Sequence, residues 1–142
     1  MLPSNEYEKK YWQLDRLLIG IDEAGRGPLA GPLVVAGVVF EKGYHSDEIN
    51  DSKQLSARKR EQLYDIIIHD ALFYQIEIVE PEEIDRINIL EADRQAMSRI
   101  AEKAPVDIVL TDAVPLYIDK EVVSIIKGDT LSVSIAAGSI LA

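Results

Sequence analysis

The sequence contains no cysteine, and this absence excludes disulfide frameworks, thiol nucleophiles and thiolate metal sites. It also lacks long hydrophobic runs, because the longest apolar stretches, around 33–40 and 135–142, are far too short to span a bilayer. The first residues, MLPSNE, have no basic region followed by an apolar stretch, so no secretory signal is indicated. We therefore expect a cytoplasmic protein that does not associate with a membrane.

Positive charge is scarce as well. The chain has 15 Lys and Arg against 25 Asp and Glu, a net charge of −10. Because Lys and Arg carry binding to the phosphate backbone, such a chain should repel nucleic acids. A nucleic-acid function therefore requires bound divalent cations that reverse the local charge, or a basic surface on a part of the protein absent from these residues.

The remaining composition is that of an ordinary globular protein: 142 residues, 47% hydrophobic and 28% charged, with few glycines and prolines. This length predicts a single domain, 1–142. Apolar segments predict five strands, and helical spacing and capping residues predict helices around and between them. The strands are predicted near 17–21, 33–40, 72–79, 106–110 and 122–126, and the helices at 4–15, 56–69, from 81, around 89–100 and from Ser132 or Ser134. The order favours an α/β fold in which helices flank a five-stranded mixed sheet, with a hairpin formed by the first two strands.

Asp22 and Glu23 lie at the end of the first apolar strand and are followed by a glycine-rich segment. An unpaired charge there is costly, so a compensating cation is one interpretation and a polar turn between two strands is the other. Because successive side chains of a strand point to opposite faces, both acids can serve one site only if the strand ends or bulges there.

Asp112 and Asp129 follow two later apolar strands. Each alone is more often a turn residue or a helix cap. Together with Asp22 they place acids at the ends of three strands, where open sheets usually carry their sites. Carboxylates without His or Cys partners favour Mg²⁺ or Mn²⁺ over zinc. A pair of such ions can activate a water and stabilise the leaving oxygen of a phosphodiester.

The segment Gly25-Arg26-Gly27-Pro28-Leu29-Ala30 nominally fits the dinucleotide-binding fingerprint. It runs into a second strand, however, so no helix N-terminus is offered to a pyrophosphate. We instead expect its glycines to let the backbone approach a ligand closely.

Several segments together resemble ribonuclease HII. Residues 19–32, IGIDEAGRGPLAGP, resemble the signature of that family. Further matches follow in the family's order: NDSKQLS at 50–56, EID and INILEA within 83–92, LTD ending at Asp112, KGD ending at Asp129, and SIAAGSILA at 134–142. The resemblance therefore covers residues 19–142, and the occurrence of all these motifs in order is highly specific.

The resemblance implies the ribonuclease H fold and endonucleolytic cleavage of RNA in RNA–DNA hybrids. It also implies cleavage on the 5′ side of a single ribonucleotide embedded in duplex DNA, leaving a 3′-hydroxyl and a 5′-phosphate. In this chain the four acids Asp22, Glu23, Asp112 and Asp129 would be the catalytic metal ligands of a two-ion Mg²⁺ or Mn²⁺ site, with Asp22 shared between the ions. The residues expected to bind substrate are Gly25, Arg26 and Gly27 at the 2′-hydroxyl, Lys53 at a backbone phosphate, and Ser134 and Ser139 through further polar contacts. A solvated lysine and helix-capping serines are the alternatives.

The sequence also departs from the family pattern. In the family the last matched helix continues into a basic segment and further helices, which carry a substrate-stacking tyrosine and much of the DNA-binding surface. The present chain stops in mid-helix, which is typical of a truncation, so we expect it to bind metal but to cleave weakly or not at all. We also expect apolar surface around Ile135, Ile140 and Leu141, with self-association through it, and a cost of up to about 1 kcal/mol for Gly138 inside a helix.

Two rival interpretations stay open at this stage. One is another metal nuclease or an integrase-like member of the same fold, which would share the strand-end acids but not Gly25-Arg26-Gly27. The other is a non-catalytic fragment of this fold that binds metal or nucleic acid.

Overall fold

A computed structural model describes residues 2–24 and 31–142. Its strands are β1 (Leu18–Ala24), β2 (Leu33–Val39), β3 (Phe73–Val79), β4 (Ile108–Asp112) and β5 (Glu121–Ile125). Its helices are α1 (Glu6–Trp12), α2 (Ala57–Asp70), α3 (Pro81–Ile87), α4 (Ile89–Lys103), α5 (Gly128–Leu131) and α6 (Val133–Leu141), and a 3-10 helix, Ser52–Gln54, precedes α2. The five predicted strands are all present.

The strands form one mixed sheet in the order β3-β2-β1-β4-β5. β1 pairs antiparallel with β2, and β2 with β3, whereas β4 lies parallel to both β1 and β5. The predicted α/β fold, with a mixed sheet and an initial hairpin, is confirmed. Because β1 and β4 are parallel neighbours, their carboxyl ends meet at the same edge of the sheet.

Capping residues explain most of the helix boundaries. The hydroxyl of Ser56 accepts from the N–H of Lys59 at the start of α2, and Pro81 occupies the first turn of α3, where its missing N–H costs nothing. Ser132 caps α6 by accepting from the N–H of Ile135. The first helix, predicted from residue 4, begins at Glu6, and the hydroxyl of Ser4 accepts from the N–H of Glu6 at its start.

Hydrophobic cores lie on both faces of the sheet. On one face α4 packs Met97 and Ile100 against β1 and β2. On the other face α6 lies directly on β1 and β2, and α2 packs Leu63 and Ile67 in the same cluster. The two layers of helices bury the central strands β1 and β4 over most of their length.

Gly138 explains how α6 comes so close to the sheet. A Cβ at this position would lie 2.9 Å from the carbonyl oxygen of Ala36 and 3.2 Å from the amide nitrogen of Asp22. The predicted cost of Gly138 inside a helix is therefore accompanied by a packing role, because the close approach leaves no room for a side chain.

The predicted apolar exposure around Ile135, Ile140 and Leu141 is also wrong, because all three side chains are buried against the sheet and α2. Self-association stays a prediction. Within residues 2–24 and 31–142, no helix combines the length and the hydropathy that crossing a bilayer requires.

Candidate metal centre

Three carboxylates meet at the carboxyl ends of the central strands. Asp22 and Asp112 are brought together by the parallel register of β1 and β4, in which Ile21 lies opposite Thr111. Asp129 arrives on α5, the single helical turn that follows β5. One oxygen of each carboxylate lies within 4.8 Å of one oxygen of the other two. The structure thus brings together three of the four acids predicted as metal ligands.

Asp22 is the most enclosed of the three acids, with 2% of its surface exposed. Its pKa is raised far above the ordinary value, first by burial, then by the hydrogen-bonded and negatively charged side chain of Glu23, and also by the charge of Asp112. The N–H of Glu23 donates to Asp22 Oδ1 at 2.8 Å and offsets part of this effect. The charged form of Asp22 is therefore strongly disfavoured unless a cation lies beside it.

Glu23 lies next to this triple without belonging to it. The strand end or bulge expected at Asp22 is absent, because β1 continues to Ala24 in regular pairing, with Asp22 opposite Ala36 and Glu23 opposite Val35. The two carboxyl groups nevertheless meet through the side-chain hydrogen bond between Glu23 and Asp22. The role of Glu23 as a fourth ligand stays a prediction.

Asp112 is half-buried, and its pKa is raised to about 6. Burial is the main cause and the negative charge of Asp129 is the next. Two groups oppose them: the N–H of Gly128, which donates to Asp112 Oδ1 at 2.9 Å, and the ammonium of Lys53. The carboxylates of Asp112 and Asp129 therefore repel each other in the metal-free protein.

Asp129 is also buried, and its pKa is raised by burial and by the neighbouring Asp51, while Lys53 lowers it. The Lys53 ammonium lies 3.3 Å from Asp129 Oδ2 and 3.7 Å from Asp51 Oδ2. Partial burial lowers the pKa of Lys53, but the charges of Asp129 and Asp51 outweigh it and raise that pKa. Lys53 supplies one positive charge to a cluster of several acids.

Asp51 was not assigned a site role from the sequence. Its side chain is almost fully buried, and its Oδ1 accepts from the N–H of Lys53, so it caps the 3-10 helix. The available signal was its position in the motif, two residues before Lys53. Asp51 and Asp129 are far apart in the chain, so their proximity is a tertiary contact that sequence spacing does not reveal.

The other predicted substrate residues fall into three groups. Gly25, Arg26 and Gly27 lie outside the described residues. Ser139 donates its hydroxyl to Ala136 O and accepts from the N–H of Ser52, which ties α6 to the 3-10 helix.

Ser134 is the third case. Its side chain is buried against Gly20, at the point where α6 approaches β1 closely. Its role in substrate binding stays a prediction.

An open cavity of about 700 Å³ begins at Ala24, at the end of β1. It extends past Ser52 and Ser139 to Arg60 on α2. The Arg60 guanidinium donates to the carbonyl oxygens of Ser52 and Leu55. Two acidic side chains of α2 also line the cavity, whereas the acids of the triple are not among its lining residues.

A divalent cation fits the chemistry of the centre. The three acids are packed at distances at which their charges repel one another, and each has a raised pKa. Buried acids of this kind persist where a cation compensates them. The triple offers carboxylate oxygens alone, a donor set that suits Mg²⁺ or Mn²⁺.

Comparisons with known proteins give a consistent result. The family model described as Ribonuclease HII matches residues 19–142. The chain is 44% identical over 138 residues to the ribonuclease HII of Lactobacillus acidophilus, covering 96% of this chain and 55% of the relative, and 47% identical over 139 residues to that of Syntrophus aciditrophicus, covering 96% and 64%. The chain therefore spans roughly half to two thirds of the length of these curated relatives.

A solved structure points to the same fold. The crystal structure of ribonuclease H2 from Pyrococcus horikoshii aligns with a TM-score of 0.75 at 26% identity, covering 87% of this chain and 69% of that one. A Bst ribonuclease HIII in complex with Mn²⁺ aligns with a TM-score of 0.68 at 18% identity, covering 89% and 50%, and this likeness concerns the fold alone.

Proposed function

The chain belongs to the ribonuclease HII family, and on this premise we propose that it is the metal-binding catalytic domain, residues 1–142, of an endonuclease that cleaves RNA paired with DNA. The proposed substrates are RNA–DNA hybrids and duplex DNA that carries a single ribonucleotide. The observation that carries the proposal is the triple of Asp22, Asp112 and Asp129, whose oxygens converge within 4.8 Å. This arrangement is costly without a cation and chemically suited to one.

Mg²⁺ or Mn²⁺ is the proposed cofactor, in a two-ion site. Asp22, Asp112 and Asp129 would hold the ions with Glu23 as the fourth ligand, and Asp22 would be the ligand that the two ions share. The chemistry supplied by such ions is a lowered pKa of an attacking water and neutralised charge on the departing 3′-oxygen. A ribonuclease HIII of the same fold has been solved in complex with Mn²⁺, which supports this choice of metal class.

Other side chains would orient the metal ligands and bind the duplex. Gly128 N–H fixes one oxygen of Asp112, and Lys53 holds Asp129 while leaving its own side chain 75% exposed. That exposure lets Lys53 meet a backbone phosphate. Gly25, Arg26 and Gly27 would read the 2′-hydroxyl, the group that distinguishes RNA from DNA locally.

We expect the 142-residue chain to cleave weakly. It spans 55% of the length of the Lactobacillus acidophilus relative, and its net charge of −10 disfavours binding to a polyanion. All residues of the proposed metal site are present in this chain. Tight binding of the duplex, however, needs a basic surface, and this chain has few Lys and Arg to form one.

The test is a cleavage assay in Mn²⁺ under single-turnover conditions, with the protein in excess over the duplex. Three substrates of identical sequence are compared: all-DNA, an RNA–DNA hybrid, and DNA with one ribonucleotide. The proposal predicts cuts in the last two only, 5′ of the ribonucleotide, with a 3′-hydroxyl and a 5′-phosphate as product ends. Cutting of the all-DNA duplex would instead indicate another metal nuclease of this fold.

Asp22→Asn is the decisive variant and Asp107→Asn is its control. Asp107 is an exposed acid just before β4, at the opposite end of that strand from Asp112. We expect Asp22→Asn to lower the cleavage rate by at least about 10³-fold, since metal activation of the water is lost, and Asp107→Asn to leave it unchanged. A metal-bound wild type that cuts none of the substrates would favour the non-catalytic fragment.

A further inference from the structure

The position of Asp129 depends on a helix too short to maintain itself. α5 is a single turn, Gly128–Leu131, and one helical turn has too few hydrogen bonds to offset the entropy of forming it. Its conformation must therefore be imposed at its two ends. At the front, Lys127 adopts a left-handed backbone with φ 58°, and the N–H of Gly128 donates to Asp112 Oδ1.

The rear end of α5 is fixed by Ser132. The N–H of Ser132 donates to Gly128 O at 2.7 Å, which closes the turn, and the Ser132 hydroxyl accepts from the N–H of Ile135, which opens α6. Ser132 is thus the junction between the turn that carries Asp129 and the helix that packs on the sheet. Whatever holds Ser132 also limits where Asp129 can lie.

Glu8 on α1 holds this junction. Its side chain is fully buried, and Glu8 Oε2 accepts from the Ser132 hydroxyl at 2.7 Å and from the N–H of Ser134 at 2.9 Å. A backbone hydrogen bond also joins the segment before α1 to the start of α6, because the N–H of Val133 donates to Ser4 O at 2.9 Å. A buried carboxylate with two donors at a helix N-terminus is a strong and directional anchor.

We propose that Glu8 is a positioning residue for the metal centre, acting through Ser132 on the carboxylate of Asp129. This inference rests on the proposed metal-dependent function and adds a residue to it. Glu8 lies outside residues 19–142, the range that matches the family model. It touches none of the three carboxylates in the triple, so its effect is on their arrangement.

A merely structural role makes a different prediction. If Glu8 only docked α1 on the body of the protein, any other anchor of α1 should matter equally. Tyr11 is such an anchor, because its hydroxyl donates to Glu121 Oε2 at 2.9 Å on β5, away from the α5–α6 junction. Tyr11→Phe removes that hydrogen bond from the same helix and is therefore the matched control.

The experiment is isothermal titration with Mn²⁺ at pH 7 on the wild type and on Glu8→Ala, Glu8→Gln and Tyr11→Phe, with folding checked by circular dichroism. We expect Glu8→Ala to weaken Mn²⁺ binding by about 10- to 100-fold, the range seen when a group orienting a metal ligand is lost. Glu8→Gln should stay within about 3-fold, because its amide oxygen can accept both hydrogen bonds. Within the described residues Glu8 Oε1 makes no hydrogen bond, so the amide nitrogen replaces none.

The outcomes separate the two proposals. Equal Mn²⁺ affinity in Glu8→Ala and wild type, or an equal loss in Tyr11→Phe, would overturn the positioning role and leave the metal site standing. A wild type that binds no Mn²⁺ would overturn the proposed function and this inference with it. If Glu8→Ala does not fold, Ser132→Ala decides: weaker Mn²⁺ binding than in Tyr11→Phe supports the positioning role, and affinity equal to that of Tyr11→Phe overturns it.

Discussion

Two groups of acids are buried in this molecule, and they are stabilised in different ways. Glu8 is held by two donors, since the Ser132 hydroxyl and the N–H of Ser134 both point at its Oε2. The acids of the metal centre are surrounded largely by one another, and burial and mutual repulsion raise the pKa values of Asp22, Asp112 and Asp129. A buried carboxylate that accepts hydrogen bonds stabilises the fold, whereas neighbouring carboxylates repel one another until a cation offsets their charge.

The two groups of acids should respond to substitution with opposite changes in the stability of the metal-free protein. Removing the Glu8 carboxylate should destabilise the metal-free protein, because it leaves buried donors unpaired. Removing one charge from the metal centre should stabilise the metal-free protein, because it relieves repulsion. The two groups meet where α6 crosses β1, so a change at that crossing should disturb both.

The largest effect is expected at the crossing itself, from Gly20→Ala. A Cβ on Gly20 would lie 2.4 Å from the carbonyl carbon of Ser134 and 2.5 Å from the amide nitrogen of Ile135. Because only backbone movement can relieve such contacts, we expect unfolding to be easier by about 3 kcal/mol or more in urea titrations. Gly31→Ala is the control, since a Cβ there meets nothing within 4 Å, and a loss as large as that of Gly20→Ala would contradict the packing argument.

Glu8→Ala should have the next largest effect on stability. It leaves the Ser132 hydroxyl and the N–H of Ser134 without their acceptor, which costs about 2 kcal/mol in metal-free protein. Thermal and urea unfolding measure this loss. Glu6→Ala on the same helix is the comparison, because Glu6 is exposed and its ion pair with Lys9 contributes less than about 0.5 kcal/mol. Equal losses of unfolding free energy in the two variants would show that the buried, hydrogen-bonded Glu8 contributes no more to stability than a surface acid.

Asp112→Asn should act in the opposite direction and more weakly. The amide oxygen can still accept from the N–H of Gly128, while the charge that repels Asp129 is gone. After discounting for solvent screening of a half-buried group, we expect a gain of about 1 kcal/mol in metal-free protein at pH 7. Urea unfolding in a chelator measures it, with Asp107→Asn, just before the same strand, as the control. A loss of stability in Asp112→Asn would mean that the Asp112 carboxylate stabilises the fold, as that of Glu8 does, and that repulsion within the metal centre is not the dominant effect.

The sequence predicted most of the fold and the identity of the acids, for definable reasons. The apolar run at 33–40 is rich in valine, which favours a buried strand, and Ser56 and Pro81 mark helix starts through local chemistry. Asp22, Asp112 and Asp129 stand out because charge follows directly after buried strands, and the parallel pairing of β1 and β4 brings the first two together.

The features that sequence reasoning missed are all set by contacts between distant segments. Glu8 is separated from Ser132 by 124 residues, and no local pattern links them. Gly138 looks unfavourable as a helix residue, and only the 2.9 Å approach to Ala36 O shows why a side chain is excluded. Ser134 matches a motif but faces inward, because α6 turns that side toward β1.

We expect the acids of the metal centre to oppose folding until a divalent ion binds. The pKa of Asp112 is raised from 3.8 to about 6 in the folded protein, so between these values the folded state binds more protons than the unfolded state. The stability from the protonated group is complete below about pH 3.8 and is lost as the pH rises through about 6.

The most direct test is the free energy of unfolding in urea at pH 5 and pH 7.5, in chelator and in saturating Mn²⁺. We expect metal-free wild type to be less stable at pH 7.5 than at pH 5. We also expect Mn²⁺ to stabilise the protein more at pH 7.5 than at pH 5, and Asp112→Asn to lose most of this difference. No stabilisation by Mn²⁺ at pH 7.5, or the same gain in Asp112→Asn as in wild type, would show that these acids do not oppose folding in the absence of metal.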